Sequence, residues 1–386
     1  MSSDRAPAPP PTAPPAATAG PELPAYLTAA EILDLHRRLV AIPSLSHQEG
    51  AITAHAAAFL AARGAAVERI GANVVARRGK GPRRLLLDTH LDTVPPAASW
   101  TRDPWQPAVV DGRVYGLGAN DAKAAAAAMA AAFLAVPDAG ACEVHLLLVV
   151  EEETGGAGTE LAWPELRRRG LVPDGVVIGE PTALDVAIAQ KGLLVLELEA
   201  RGDACHAANA GAFAGGRGAR NAVFGLARDL AALERAELGP PHALLGPTTL
   251  QPTIIAGGTA RNVVPDRATA ILDLRTVPGE EHAALAGRLQ ATVSGALRVL
   301  SGRLEPRECP AEAAIVSAAR AARPEACLFG SPTMSDLAFF GGVPAIKCGP
   351  GRSERSHTAD EYVLEAEVLD GERFYRRLIA AFAGGA

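Results

Sequence analysis

The chain has 386 residues, of which 48% are hydrophobic and 21% are charged, and its formal net charge at pH 7 is −6. This apolar fraction excludes a wholly disordered protein, and the mild acidity without a basic block excludes a nucleic-acid binder, which needs clustered Lys and Arg. Charges interrupt every long apolar stretch, so we expect no membrane span.

The N-terminal segment and the cysteines indicate where the protein resides. Residues 1–25 are rich in Pro and Ala and lack the basic and apolar regions of a secretory signal, so we predict a disordered tail. The five cysteines are odd in number and form no CxxC pair, which is typical of proteins from a reducing compartment. We therefore predict a cytoplasmic protein.

Two capping boxes predict the first two helices. Thr28 with Glu31 precedes an apolar series that Pro43 ends, and Ser46 with Glu49 precedes a second, alanine-rich helix. In each pair the hydroxyl and the carboxylate would satisfy backbone N–H groups that the first helical turn leaves without partners.

Strand and helix signals then alternate along the chain. Apolar strands are predicted at residues 84–88, 144–150 and 176–178, and an alanine-rich helix is predicted at 121–136. Buried strands that alternate with helices indicate an α/β layer around a parallel or mixed sheet.

A different pattern begins near residue 190. Residues 193–200 and 268–274 alternate between apolar and polar positions, which predicts half-buried strands, and a further strand is predicted at 253–255. Helices are predicted at residues 221–238 and 280–300. Strands mixed with helices in this order indicate an α+β unit with one helical face.

The predicted fold class is therefore α/β with an inserted domain. Residues 26–189 and 306–386 would form a split catalytic domain whose mixed central sheet is flanked by helices. Residues 190–305 would form an inserted α+β domain of the ferredoxin-like type.

His90 and Asp92 follow the first apolar strand of this scheme. Positions i and i+2 of an extended chain share a face, so the imidazole could bind a metal while the carboxylate orients it. Asp88 lies on the same face and could replace Asp92 in that role. Taken alone, so short a motif is more often a hydrogen-bonded histidine at a strand end.

Asp121 follows a turn with two glycines and precedes the alanine-rich helix. Simple N-terminal capping would explain this aspartate without any function. The glycines complete neither of the common phosphate-binding patterns, so a nucleotide loop is disfavoured.

Further carboxylates and a histidine follow other buried strands or lie in loops. Glu151, Glu152 and Glu153 are adjacent, and they repel one another unless they are solvated or a divalent cation offsets the repulsion. Glu180 follows the next apolar strand, and His357 lies in a polar loop. Nitrogen and oxygen ligands together favour zinc, cobalt or manganese.

Five ordered motifs resemble those of the di-zinc deacylase and exopeptidase family: HLDTVP, GLGANDAK, EEETGG, GEPT and SHTADEYV. This family includes acetylornithine deacetylase, succinyl-diaminopimelate desuccinylase, aminoacylase and glutamate carboxypeptidases. The resemblance runs from about residue 32 to the C-terminus. It implies hydrolysis of an amide with the help of two divalent metal ions, which we expect to be zinc, with cobalt or manganese as alternatives.

The resemblance also implies a role for each conspicuous residue of the larger domain. Asp92 would orient a histidine ligand, Asp121 would bridge the two metals and Glu152 would be the general base. The implied metal ligands are His90, Asp121, Glu153, Glu180 and His357.

For the inserted domain, the resemblance implies a lid that also forms a homodimer. His206 would reach the active site of the other subunit, and Asn262 and Arg275 would hold the carboxylate of the substrate. Without the resemblance, Arg275 would be interpreted as one half of a surface ion pair.

The implied substrate is a small N-acyl amino acid. The SHTADEYV and GEPT motifs most resemble acetylornithine deacetylase, so our main prediction is deacetylation of N-acetyl-ornithine, -lysine or -citrulline in arginine or related biosynthesis. The alternatives are a succinyl-diaminopimelate desuccinylase, a dipeptidase or carboxypeptidase, and a catalytically silent metal-binding homologue. A succinyl substrate would need a further cation for its second carboxylate, for which Arg352 and Arg355 are candidates.

Overall fold

The structure of the protein is a computed structural model that describes residues 22–385. Most of the predicted tail, residues 1–21, therefore lies outside the described residues. Glu22 forms ion pairs of 2.7 and 2.8 Å with Arg376 and Arg377, which attach the first described residues to the last helix. No helix of residues 22–385 combines the length and the apolar character needed to cross a membrane.

The helices and strands follow one another in three stretches. The first contains α1 (Ala29–Ala41), α2 (Gly50–Ala61), β1 (Ala66–Ile70), β2 (Asn73–Arg78), β3 (Arg83–His90), β4 (Ala108–Val110), β5 (Arg113–Tyr115), α3 (Lys123–Leu134), β6 (Cys142–Val149), α4 (Ala157–Arg168), β7 (Gly175–Ile178) and β8 (Val186–Gln190). The second contains β9 (Gly192–Arg201), β10 (Cys205–His206), α5 (Phe213–Gly216), α6 (Ala222–Leu233), β11 (Thr249–Gly257), β12 (Val263–Val264), β13 (Arg267–Thr276), α7 (His282–Thr292) and β14 (Ala296–Leu304). The third contains β15 (Arg307–Glu308), α8 (Ala314–Ala322), β16 (Leu328–Ser331), β17 (Ala345–Lys347), β18 (Tyr362–Leu364) and α9 (Glu365–Gly384).

The largest sheet has nine strands in the order β1-β2-β6-β3-β7-β17-β8-β15, with β16 paired to β8. Its central strands β6, β3, β7 and β17 are parallel neighbours, whereas β1, β2 and β15 pair in antiparallel fashion, so the sheet is mixed as predicted. Because the carboxyl ends of parallel strands meet at one edge, the residues that follow these four strands lie close together.

Helices cover both faces of this sheet. Leu85 and Leu87 of β3 belong to the core on the side of α3 and α9, and Leu86 belongs to the core on the side of α4. Both faces of β3 are buried, which explains its continuous apolar run. Every residue of α3 is buried, and its small alanines let this helix pack between the sheet and the neighbouring helices α1 and α9.

A separate four-stranded antiparallel sheet has the order β11-β13-β9-β14. Helices α6 and α7 contribute to the core on one of its faces, and β9 alternates between buried and half-buried residues as predicted. The connectivity β9-α6-β11-β13-α7-β14 is that of a ferredoxin-like unit. The chain enters this sheet after β8 and returns to the large sheet at β15; a lid function for residues 190–305 stays a prediction.

The predicted helix at residues 280–300 is wrong in its second half. Helix α7 ends at Thr292, where the backbone N–H groups of Ser294 and Gly295 donate to the carboxylate of Asp229. The following residues form β14, which pairs with β9 at the edge of the small sheet. Pairing with a strand distant in sequence outweighs the local helical spacing of apolar residues.

Candidate active site

His90 is the last residue of β3, and its ring is buried. The Nδ1 atom lies 3.0 Å from the backbone carbonyl oxygen of Asp92 and 3.6 Å from the carboxylate of the same residue. A proton on Nδ1 is therefore held by Asp92. Nε2 then faces the carboxylates of Asp121 at 3.2 Å and Glu180 at 3.7 Å, in the orientation that a metal-binding imidazole requires.

Asp121 links this group to a second one. Its Oδ1 faces His90, whereas its Oδ2 lies 3.8 Å from Nε2 of His357. The same Nε2 lies 3.0 Å from the carboxylate of Glu153. The side chains form two groups of potential metal ligands, each with its ligand atoms within 4.8 Å of one another: His90, Asp121 and Glu180, and Asp121, Glu153 and His357. Asp121 belongs to both groups.

The turn after β6 is held by Asp92. The backbone N–H groups of Glu152 and Glu153 donate to the two carboxylate oxygens of Asp92, each at 3.1 Å. Asp92 thus positions both glutamates as well as His90. Glu151 points away, and its carboxylate lies 3.3 Å from Nδ1 of the exposed His47.

Ser46 and Glu49 also support the turn after β6. Their sequence pattern predicted a helix cap and did not indicate this role. Ser46 donates its hydroxyl to Asp92 at 2.8 Å, and Glu49 accepts the backbone N–H of Glu151 at 3.1 Å. Helix α2 begins at Gly50 without a side-chain cap, so the predicted second capping box is wrong. Both side chains bond to elements that are distant in sequence, and this a local pattern cannot reveal.

Glu361 is a further residue that sequence analysis missed, although it lies inside the SHTADEYV motif. Its buried carboxylate accepts the backbone N–H groups of Gly118, Asn120 and Asp121 at 3.2, 2.8 and 3.0 Å. Three donors converge on one carboxylate, so Glu361 fixes the turn that presents Asp121. Its place in this motif, four residues after His357, could have drawn attention to it.

Comparison with known proteins identifies the family. Residues 86–381 match the family described as Peptidase family M20/M25/M40. The chain belongs to this family. The predicted family is therefore confirmed, and the protein is an enzyme, a metal-dependent amidohydrolase of the M20 family.

Individual relatives extend this result. The succinyl-diaminopimelate desuccinylase of Methylobacterium sp. (strain 4-46) is 32% identical over 392 residues, which cover 91% of this chain and 96% of the relative. The desuccinylase of Sphingopyxis alaskensis is 32% identical over 290 residues, or 69% of this chain and 74% of the relative. The relatives carry the name of the predicted alternative, not that of the main prediction, an acetylornithine deacetylase.

A solved structure shows that the fold is shared. The Bacillus subtilis YXEP protein, described as a dinuclear metal binding peptidase from the M20 family, matches with a TM-score of 0.69 at 15% identity. The match covers 93% of this chain and 99% of that chain. The predicted α/β fold class is therefore confirmed.

The side chains of this M20 enzyme fit divalent cations. Burial raises the pKa of Glu180 to about 8, against the attraction of Lys347, and a hydrogen bond to Glu153 raises the pKa of His357 to about 9. The side chains of Glu180 and His357 therefore hold protons at positions where a bound cation would replace those protons. Imidazole nitrogens and carboxylate oxygens are ligands that zinc, cobalt and manganese accept.

These shifts predict that the metal-free protein loses stability as the pH rises from about 5 to about 9. The pKa of Glu180 exceeds its ordinary value of 4.5, and that of His357 exceeds 6.5, so the native state binds more protons than the unfolded chain in this range. The free energy of unfolding then falls by up to about 1.4 kcal/mol per pH unit for the buried Glu180, and by less for His357, whose half-exposed side chain is screened by water. Thermal unfolding of chelator-treated protein at pH 5, 7 and 9 measures this slope.

Zinc should raise the melting temperature more at pH 8 than at pH 5, because protons compete with the cation for the same atoms. A metal-free melting temperature that rises between pH 5 and pH 8 would contradict the shifts.

Asp88 does not take the place of Asp92. The side chain is fully buried beside Asp336, and neither carboxylate has a hydrogen-bond partner within the described residues. Burial raises the pKa of Asp336 to about 7 and that of Asp88 well above its ordinary value, and repulsion between the two adds to the shift of Asp88. The ring nitrogen of His90 lies 3.0 Å from the backbone carbonyl oxygen of Asp92 and 3.6 Å from its carboxylate, and the orienting role of that carboxylate stays a prediction.

The residues predicted in the inserted domain lie apart from the two ligand groups. Within residues 22–385, no hydrogen bond or ion pair joins His206, Asn262 or Arg275 to the five predicted ligands. His206 is exposed in β10, whose partner β12 directly follows Asn262, so these two are neighbours. Arg275 pairs with Asp273 of the same strand at 2.9 Å. The three predicted roles stay predictions.

Proposed function

We propose that this M20 enzyme hydrolyses the amide bond of an N-succinyl amino acid, with two divalent cations held by the two ligand groups that share Asp121. The shared carboxylate is the observation that carries the proposal. Its two oxygens face two different histidines at 3.2 and 3.8 Å, an arrangement that suits a pair of adjacent ions. Zinc is the metal we expect, with cobalt or manganese as alternatives.

In this mechanism the bound cations and Glu152 would have separate tasks. Divalent cations at such a site supply a Lewis acid that acidifies water near neutral pH and polarises the amide carbonyl. Glu152 takes the proton from the attacking water and returns it to the nitrogen of the departing amine. Burial and repulsion from Glu180 raise the pKa of Glu152, so its carboxylate can both accept and release a proton.

Other residues would orient and bind the reactants. Asp92 keeps His90 and the backbone of Glu152 in position through its hydrogen bonds. Asn262 and Arg275 would bind the carboxylate of the amino acid, Arg275 after exchanging its contact with Asp273. His206 would stabilise the oxyanion from a neighbouring subunit.

The names of the relatives support a succinylated substrate and a place in lysine biosynthesis. Our main prediction from the sequence, an acetylated substrate in arginine biosynthesis, receives less support. A dipeptidase or carboxypeptidase activity is the next alternative, and a catalytically silent homologue is the non-enzymatic one.

A release assay separates these functions. Zinc-loaded protein is offered N-succinyl-diaminopimelate, N-acetyl-ornithine, N-acetyl-lysine and N-acetyl-citrulline in turn, and each reaction is repeated with a chelator. We expect chelator-sensitive release from the succinyl substrate above all. Release from an acetyl substrate alone would restore the deacetylase prediction. Silence on all four with metal bound would indicate a peptidase or a silent homologue.

We also propose a homodimer that forms through the small sheet. Strand β11 is an edge strand, and its Ile254 and Ile255 are 61% and 62% exposed. Phe224 of α6, which packs on the same sheet, is 65% exposed. An apolar edge with free backbone groups is suited to pairing with a second copy of the chain.

Replacing Ile254 by aspartate should raise the dissociation constant of this dimer by at least about 10-fold, because the symmetric interface would bring two carboxylates together. Sedimentation velocity over a range of concentrations measures the constant. Val172→Asp, at a residue that is 67% exposed outside the small sheet, is the matched control. A wild-type protein that sediments as a monomer at all concentrations would exclude the dimer.

A further inference from the structure

A cavity of about 440 Å³ lies beside the edge of the large sheet that carries the ligand groups. Pro181 and Thr182, which directly follow the proposed ligand Glu180, form part of its wall. Lys347 and Arg352 also line it. The cavity therefore combines proximity to the reacting centre with two cationic side chains.

Lys347 is placed at this edge by the topology of the sheet. It is the last residue of β17, which runs parallel to β7, and it is paired in register with Ile178 two positions before Glu180. Its positive charge acts on Glu180 and counteracts the rise in the pKa of that carboxyl. The ammonium and the metal-binding carboxylate are thus neighbours at the same sheet edge.

The Lys347 ammonium is buried and donates its hydrogen bonds to neutral oxygens. Only 3% of the residue is exposed, and Nζ donates to the hydroxyl and the carbonyl oxygen of Thr333 at 3.0 and 3.4 Å. No ion pair of Lys347 forms within the described residues. The nearby carboxylate of Glu180 belongs to the first ligand group, and a buried ammonium whose hydrogen bonds go to neutral oxygens is costly. The position therefore favours a further ligand with negative charge.

Arg352 lies at the rim of the cavity, where it could bind an anionic ligand, whereas Arg355 is engaged in other contacts. Arg355 binds Glu367 through two hydrogen bonds of 2.6 and 3.2 Å and stacks on Tyr362. The Arg352 side chain is 55% exposed and lies 3.9 Å from Glu367, which Arg355 already occupies. Its backbone is fixed by hydrogen bonds to Asn120. Of the two arginines suggested by the sequence, only Arg352 faces the cavity.

Two carboxylates also line the cavity, and neither neutralises Lys347. Asp185 accepts the backbone N–H of Cys327 at 2.9 Å, and Glu354 is exposed to solvent at the rim. Water screens the charge of the exposed Glu354, and Asp185 is bound to the backbone of Cys327, whereas burial reduces the screening of the Lys347 ammonium.

We propose that Lys347, assisted by Arg352, binds the second carboxylate of a dicarboxylic acyl group such as succinyl, and that the cavity thereby sets the acyl preference of the enzyme. The assignment rests on the proposed amide hydrolysis at the neighbouring ligand groups. A succinyl group carries a carboxylate two methylene groups beyond the carbonyl, and Lys347 lies at the sheet edge that also carries Glu180. An acetyl group offers nothing for Lys347 to bind.

Substitution of Lys347 by methionine tests this assignment. We measure kcat/KM for the N-succinyl and N-acetyl forms of the same amino acid and take their ratio, which cancels effects common to both substrates. The ratio should fall by about 10- to 100-fold, the usual worth of a hydrogen bond between two charged groups. Lys80→Met, the same change at an exposed lysine, is the matched control and should leave the ratio unchanged.

Binding of succinate gives a second measurement that needs no turnover. In calorimetric titration of the zinc-loaded wild type, succinate should bind at least about 10-fold more tightly than acetate, and Lys347→Met should abolish this difference. If Lys347→Met fails to fold, Arg352→Ala at the exposed rim should shift the ratio and the succinate affinity in the same direction.

The outcomes distinguish the two proposals. A wild-type enzyme that cleaves neither substrate rejects the proposed hydrolysis, and the succinate titration then decides the role of the cavity. An active wild type whose folded Lys347→Met variant keeps both the ratio and the succinate affinity rejects the cavity assignment alone.

Discussion

Glu152→Gln should lower kcat by about 10³-fold while both metal sites stay occupied. General acid–base catalysis by a positioned side chain contributes about 10²- to 10⁴-fold, and here one carboxylate would serve in both directions. Glu152 belongs to neither ligand group, so its amide should not disturb metal binding. Steady-state kinetics on the N-succinyl substrate, together with metal analysis of the purified variant, measures both effects.

Glu151→Gln is the control for this experiment. Glu151 is the preceding residue in the same turn, but its carboxylate points to His47 and not to the ligand groups. We expect its kcat to stay within about threefold of wild type, since substitutions away from special features usually have small effects. A Glu152→Gln variant with nearly normal kcat would show that another group moves the proton.

Asp121→Asn should weaken the binding of both metal ions and reduce turnover at least as far as Glu152→Gln does. Even groups that only orient a metal ligand are worth about 10- to 100-fold in affinity, so loss of a carboxylate shared by two groups should cost at least about 100-fold. Replacement of one oxygen by an amide nitrogen removes the negative charge and one of the two acceptors that face His90 and His357.

A substitution at a residue that belongs to one ligand group alone provides a comparison for Asp121→Asn. Glu180 belongs to the first group alone, so Glu180→Gln should weaken one ion and spare the other, whereas Asp121→Asn should affect both. Asp138→Asn, whose side chain is 92% exposed, is the control for the chemical change. If the Asp121→Asn variant binds two metal ions with the same affinities as the wild type, Asp121 does not bridge them.

Much of this architecture was predictable from the sequence because it depends on local pattern. The apolar runs of β3, β6 and β7 have the composition of strands buried on both faces, and the helix α1 begins with the predicted capping box of Thr28 and Glu31. The alternation of apolar and polar residues correctly predicted strands β9 and β13. Where pattern and pairing disagreed, as at residues 280–300, the pairing of β14 with β9 prevailed.

Residue type and order also indicated the chemistry. Histidines and carboxylates that follow buried strands pointed to a cation site before any geometry was known, because such groups are costly to bury without a partner. The motifs that carry these residues were specific enough to predict the family. The alternation of side chains left Asp88 as an alternative to Asp92 for orienting His90, since both lie on the same face of an extended chain, and the family resemblance favoured Asp92.

Only the tertiary structure resolved the contacts between distant parts of the chain. It places Asp92 beside His90, divides the two oxygens of Asp121 between two groups, and joins Glu361 to the turn before Asp121, 240 residues away in sequence. It also brings Lys347 beside Glu180, because β17 is inserted next to β7. Local propensities extend over a few residues, whereas strand order and burial join residues that are hundreds of positions apart, and these long-range contacts create the site.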